Sequence, residues 1–196
     1  MNVAVLLVAL EHWLGPLPPT TVTVAESAQY HGRAVKGAIT VEPNASDFVV
    51  AHELCHQAFV EPTWQTEGLC QQVAGLVTHT EPWNALWKAY LDGGGHELPL
   101  DSPRWPDEKT RVAHLYGKAP QHFEALRKKL GDERYAAQLR EFVKRRCTDC
   151  EFEPEAKKSC GCGSASGVAF LALLTRPGGR GRPSLRRSPR AARAAS

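Results

Sequence analysis

Apolar positions along the chain recur with helical spacing over most of its length and with strand spacing in two short stretches. Residues 3–10 are almost continuously apolar and run into Glu11-His12-Trp13 before Gly15-Pro16. The run has no basic residues before it and no small-x-small cleavage site after it, so it reads as a structural helix over 2–14 rather than a secretory leader. Thr21–Val24 and Ala38–Val41 are β-branched and bounded by turn residues, which predicts two short strands. Ser46, or Asn44 just upstream, can cap a helix starting near Asp47, where an acid suits the positive helix end. That helix carries Phe48, Val49 and Phe59 and stops before Pro62. Further helices are expected over 65–79 and 83–91, the second with Trp83 and Trp87 on one core-facing side. Residues 92–106 hold a Gly93-Gly94-Gly95 run and three prolines and read as a loop. Helices over 107–116 and 120–130 follow, then Gly131-Asp132 punctuates before an amphipathic helix over 133–145. No internal repeat is present. The pattern predicts a mostly helical α+β domain with a small sheet over residues 1–146. Residues 147–196, Cys-rich and then Arg-rich, read as a disordered tail.

Composition narrows this little, and charge narrows it more. The 196 residues suit one domain plus a tail, and the 42% hydrophobic and 23% charged fractions are globular values. The net charge of +3 is unevenly spread, because residues 176–196 hold seven arginines and no acid. Setting those seven aside leaves 17 of the 24 basic side chains against 21 acids. The body is therefore mildly acidic, and nothing in it suggests a specific nucleic-acid surface. No stretch reaches the roughly 18 apolar residues of a membrane-spanning helix.

The chemistry is concentrated in His52-Glu53-Leu54-Cys55-His56. Histidines four apart on a helix share a face, so both imidazoles can reach one ion. Glu53, between them, is positioned to take a proton from water acidified by that ion. A catalytic zinc usually has three protein ligands. Phe59 and Pro62 stand where a metzincin would carry its glycine and third histidine, which excludes that pattern. The favoured third ligand is Glu67, in the first turn of the next helix, with Glu61 and His79 as substitutes.

His52–Gln57 followed by Trp64-x-x-Glu67-Gly68-Leu69 resembles the gluzincin metallopeptidases, in particular the aminopeptidase-N family. Trp13-Leu14-Gly15-Pro16-Leu17-Pro18 is similar to that family's entry into its catalytic domain, and Tyr116-Gly117-Lys118-Ala119 to its Y-x-K-G motif. Leu130-Gly131-Asp132-Glu133-Arg134-Tyr135 resembles the L-G-D-E-x-F segment that follows. The resemblance spans residues 10 to 146. It implies a thermolysin-like zincin fold and one catalytic zinc on His52, His56 and Glu67. It also implies Glu53 as general base, Tyr116 as the hydroxyl that stabilises the oxyanion, and a peptide or protein substrate. His114, two residues away, is the alternative donor to Tyr116. Two departures carry meaning. The interval between His56 and Glu67 is shorter than the family's usual one. Ala34, in Gly32-Arg33-Ala34-Val35-Lys36, stands where the family's G-A-M-E-N segment has the glutamate that grips a free N-terminus. Aminopeptidase specificity is therefore not expected.

The family's N-terminal β-domain has no counterpart in the sequence, which suggests a minimal relative or a late start site. The alternative to a peptidase is a zinc-binding but catalytically silent remnant or scaffold domain. An edge strand near Ala38–Val41 is expected to hold an extended peptide by strand addition. Cys55 and Cys70 are expected as small buried thiols. Cys147, Cys150, Cys160 and Cys162 have no standard metal spacing, and paired disulfides are favoured over a second zinc if the chain is exported. The Cys160-Gly161-Cys162-Gly163 element, a short apolar run and the arginines weakly resemble bacterial surface-sorting tags. Localisation does not follow from the sequence beyond a cell-envelope or secreted reading for a longer precursor.

Overall fold

A computed structural model of the chain describes residues 2–26, 31–59, 63–102, 105–145 and Phe152. All of these lie in one compact unit, Met1–Lys157. The chain runs α1 (Val3–Leu14), β1 (Thr21–Val24), β2 (Gly32–Val35), β3 (Ala38–Val41), α2 (Asp47–Cys55), α3 (Trp64–Thr78), α4 (Pro82–Asp92), α5 (Glu108–Ala113), α6 (Ala119–Leu130) and α7 (Asp132–Arg145). A 3₁₀ turn, His56–Ala58, extends α2, and a π-helical turn, His114–Lys118, joins α5 to α6.

The helix starts follow from capping chemistry. Ser46 Oγ accepts from the Val49 amide at 3.3 Å, and Asp47 is the acid of the first turn. Thr63 and Thr66 close a reciprocal capping box at the start of α3. Asp107 caps α5 through the Thr110 amide at 2.7 Å. α1 buries Leu6, Leu10 and Leu14, four residues apart on one face, and exposes Val5 and Val8 on the other. Its buried face meets Ile39 and Val41 of β3, Val50 and Leu54 of α2, and Leu69 and Val73 of α3 in a single core. Trp83 and Trp87 are both buried, as expected. Phe152, beyond the expected boundary at 146, also belongs to this core. The expected tail over 147–196, with its four cysteines, otherwise lies outside the described residues.

Three features differ from the sequence reading. First, the sheet has three strands in the order β1-β3-β2, with β1 parallel and β2 antiparallel to β3. Ala38–Val41 is thus the central strand, not an edge, because β2 pairs with its other side across a Lys36-Gly37 turn. Gly37, at φ 78°, supplies the left-handed residue this tight turn needs. Second, Cys55 and Cys70 are not free thiols. They form a disulfide between α2 and α3, with Cα atoms 5.4 Å apart and both residues fully buried. Third, the helices expected over 107–116 and 120–130 are continuous. Pro120 has no N–H to offer the carbonyl four residues back, and the π turn absorbs that interruption.

A buried polar chain ties α3, α6 and α7 together. The Tyr135 hydroxyl donates to Gln72 Oε1 at 3.1 Å, and Gln72 Nε2 donates to Glu124 Oε2 at 3.1 Å. Arg127 then binds both Glu124 oxygens at 2.9 and 2.7 Å. These bonds leave the buried hydroxyl and amide satisfied. Beside this chain, Gly68 brings α3 against α6. A Cβ there would lie 2.6 Å from Ala119 Cβ and 2.9 Å from Phe123 Cε2. Gly68→Ala is therefore expected to destabilise the fold by about 1–3 kcal/mol through overpacking, although alanine is the better helix former. Urea denaturation checks this, and an unchanged or raised midpoint contradicts it.

Candidate metal centre

His52 and His56 lie one turn apart at the C-terminal end of α2, and Glu67 lies in the first turn of α3. The close packing of α2 on α3 turns these three side chains toward one another. His52 Nε2 and His56 Nε2 are 3.1 Å apart, and Glu67 Oε2 is 3.5 Å from the first and 3.4 Å from the second. A tetrahedral zinc with ligands at 2.0–2.1 Å separates its ligand atoms by about 3.3–3.4 Å, so the three edges have the size that such an ion requires. Glu67 Oε2 is buried and has no hydrogen-bonding donor, and His52 Nδ1 is likewise buried without a partner. Two imidazoles and one carboxylate are also a donor set suited to zinc. Among the described residues this is the one His/Cys/Asp/Glu cluster with the geometry to hold a metal ion.

The electrostatics follow from burial and from this proximity. Burial lowers the affinity of His52 for a proton, against the opposing pull of Glu67. Burial alone would raise the Glu67 carboxyl, but the facing imidazoles of His52 and His56 outweigh that and hold it far below the usual carboxylate range. Glu53 has no such compensation. Burial pushes it up to about 7, with the His56 charge opposing and the Glu67 charge assisting. The Tyr116 hydroxyl is also raised well above the ordinary phenol range, by burial first and then by its nearness to Glu67. Tyr116 therefore keeps its proton and stays a donor at any working pH. Its ring lies 6.0 Å from that of His52, beside the same cluster.

The π turn that carries Tyr116 is anchored on both sides. His114 Nδ1 donates to the Thr110 carbonyl at 2.8 Å, and its Nε2 accepts the Leu98 amide at 2.9 Å. Lys118 donates to the Leu98 carbonyl at 2.6 Å and pairs with Glu97 at 2.8 Å. Both nitrogens of His114 are thus engaged away from the cluster, in a cage of Trp87, Tyr90 and Trp105 rings. It does not stand in for Tyr116. Burial lowers its pKa below the usual 6.5, against the Thr110 bond. An imidazole depressed in this way contributes stability that is present above pH 6.5 and is lost as the pH falls from there towards the folded-state value. Nitrogen-15 spectra are expected to show His114 neutral, protonated on Nδ1, through pH 6.5. Half-protonation at 6.5 or above contradicts the assignment.

His79 ends α3 as an exposed left-handed cap and is remote from the cluster, while Glu61 lies outside the described residues. Two residues not singled out from the sequence shape the site. Gln57 Oε1 accepts the Gly37 amide at 2.8 Å, and its Nε2 donates to the Val35 carbonyl at 3.0 Å. It therefore pins the β2–β3 hairpin to the helix that carries His56. A Cβ on Gly32 would lie 2.7 Å from Glu53 Cγ and Oε1, so only glycine lets edge strand β2 pass so close to Glu53. The signal for both was adjacency in sequence, Gln57 following His56 and Gly32 opening the short segment around Ala34. Ala34 packs on the core from β2.

No protein-family model matches the chain. No curated protein matches it either. Solved structures do. A mutant two-domain M1 zinc metallopeptidase bound to L-tryptophan superposes with a TM-score of 0.60 at 24% identity, over 74% of this chain and 36% of that one. A mutant M1 zinc metallopeptidase from Deinococcus radiodurans bound to a Tyr-Ser-Ala substrate gives 0.59 at 23% identity, over 74% and 36%. Another structure of an M1 zinc metallopeptidase from that organism gives 0.57 at 23%, over 71% and 35%. The chain thus spans about a third of the length of the structures it matches. At these identities the likeness establishes a shared fold, a mostly helical unit with a small sheet corresponding to part of an M1 peptidase.

Proposed function

We propose that this chain is a zinc-dependent metallopeptidase domain of the gluzincin type, with His52, His56 and Glu67 as zinc ligands, Glu53 as general base and Tyr116 as oxyanion donor. The observation that carries this reading is the three-sided cluster of ligand atoms at 3.1–3.5 Å, sized for one tetrahedral ion. Zinc, when bound, supplies a Lewis acid that acidifies water and polarises a carbonyl. Glu53 accepts the proton of the attacking water on its carboxylate. The same carboxyl returns that proton to the leaving amine. Tyr116 donates to the carbonyl oxygen as negative charge gathers there.

The peptide itself is held at β2. This strand is an edge of the sheet, opens beside Glu53 at Gly32 and offers backbone donors and acceptors to an extended chain. β2 presents Arg33, Ala34 and Val35 and no carboxylate, so a free N-terminal ammonium finds no partner on it. The domain acts within peptides rather than at a free N-terminus.

Cleavage profiling of a mixed peptide library with the zinc-loaded full chain tests this reading. The expected result is chelator-sensitive cleavage in which N-acetylated peptides are cut as well as free ones. Chelator-resistant cleavage overturns the reading. Zinc bound at full occupancy without cleavage of any peptide favours the catalytically silent scaffold instead.

A further inference from the structure

Two rungs connect α2 to α3. In the first, His52 and His56 face Glu67 across the candidate metal centre at 3.5 and 3.4 Å. In the second, Cys55 is bonded to Cys70. Cys55 lies three residues after His52 and directly before His56, and Cys70 lies three residues after Glu67. Residues three apart on a helix are neighbours on its surface. The disulfide therefore sits one helical turn from the ligand rung, with the same 15-residue separation between its partners as between His52 and Glu67. Both cysteines are fully buried and share one core with Leu54 and Leu69. No other covalent bond joins the two helices among the described residues.

We propose that the Cys55–Cys70 disulfide is a positioning part of the metal centre, holding Glu67 in register with His52 and His56 so that the oxidised chain binds zinc more tightly than the reduced one. The inference rests on the reading of these three residues as zinc ligands. Its physical basis is the tolerance of zinc ligation, in which a few tenths of an ångström in a ligand position is costly. Two thiols in a packed core stand at van der Waals distance, not at a covalent bond length. Reduction therefore spreads the helices one turn away from the rung where the carboxylate must meet two imidazoles. Reduction by a dithiol breaks the Sγ–Sγ bond. The dithiol supplies two electrons and two protons, leaves Cys55 and Cys70 as thiols, and closes to its own disulfide. Changes to the groups that orient metal ligands typically cost 10–100-fold in affinity, so at least a tenfold loss is expected. The centre is then tightest where disulfides persist, outside reducing compartments.

The test uses the full chain with Cys147, Cys150, Cys160 and Cys162 replaced by serine, so that no other thiol can bind zinc or report reduction. Zinc affinity is measured by competition with a chromogenic chelator for the oxidised protein, for the protein reduced by a dithiol and desalted under argon, and for Cys55→Ala/Cys70→Ala. Circular dichroism runs in parallel. The inference expects one zinc in the oxidised form and at least tenfold weaker binding in the other two, with helicity unchanged. Equal affinity in all three forms overturns it and leaves the zinc reading intact. Failure of the two thiols to pair under oxidation also overturns it. If no form binds zinc, the ligand assignment itself fails. Should the alanine variant not fold, the reduced chain decides. A reduced chain that unfolds as it loses zinc makes the bond a staple of the whole fold, and the proposal falls.

Discussion

Glu53→Gln is expected to keep one zinc per chain while lowering peptide hydrolysis by about 10²–10⁴-fold, the usual contribution of a positioned acid–base group. The amide has the same shape as the carboxylate, so the close approach of Gly32 to this side chain is retained. It cannot accept a proton, so the acid–base function is lost with the carboxylate. Metal content by elemental analysis and kcat/KM on a fluorogenic peptide separate the two effects. A variant that loses zinc with the activity makes Glu53 a structural group. One that keeps the rate places the base elsewhere.

Glu67→Gln has the second large effect, and it falls on binding. The substitution removes the carboxylate charge that lies 3.5 and 3.4 Å from His52 and His56 and replaces a strong zinc ligand with a weak one. Zinc affinity is expected to fall by more than the 10–100-fold that accompanies a change behind the ligands, as read by chelator competition. The metal-free chain provides a second readout. A carboxyl whose folded pKa is depressed contributes stability that is present above its unfolded value of 4.5 and is lost as the pH falls through the folded value. Acid unfolding of the metal-free Glu67→Gln chain is therefore expected to be less steep below pH 4.5 than that of the parent. An unchanged profile together with unchanged zinc affinity removes Glu67 from the centre.

Most of the helical frame was legible in the sequence because local chemistry dictates it. Ser46, Thr63 and Asp107 are capping residues in front of apolar periodicity, and each helix starts within one residue of where that periodicity places it. The grouping of His52, His56 and Glu67 was also legible, since helical spacing fixes the histidines and a short connection returns the next helix to them. What escaped depends on distant partners. Gly32–Val35 has little strand propensity of its own and exists because β3 pairs with it. With β2 in place, Ala38–Val41 becomes interior and the open edge moves beside Glu53. The disulfide escaped because a 15-residue spacing says nothing about whether two Cβ atoms converge. The π turn escaped because Gly117 and Pro120 read locally as a break. In the fold, Gly117 closes onto the Trp87 backbone, with a Cβ position 3.2 Å away, and the helix is held continuous.

His52, His56 and Glu67 bring nitrogen and oxygen atoms together, whereas Cys147, Cys150, Cys160 and Cys162 carry sulfur, the competing donor for zinc. X-ray absorption at the zinc edge of the full chain loaded with one equivalent separates them. The expected spectrum has a shell of nitrogen and oxygen at about 2.0–2.1 Å with imidazole outer scattering, and no sulfur at about 2.3 Å. A sulfur shell at that distance, or a spectrum unchanged by His52→Ala, contradicts it.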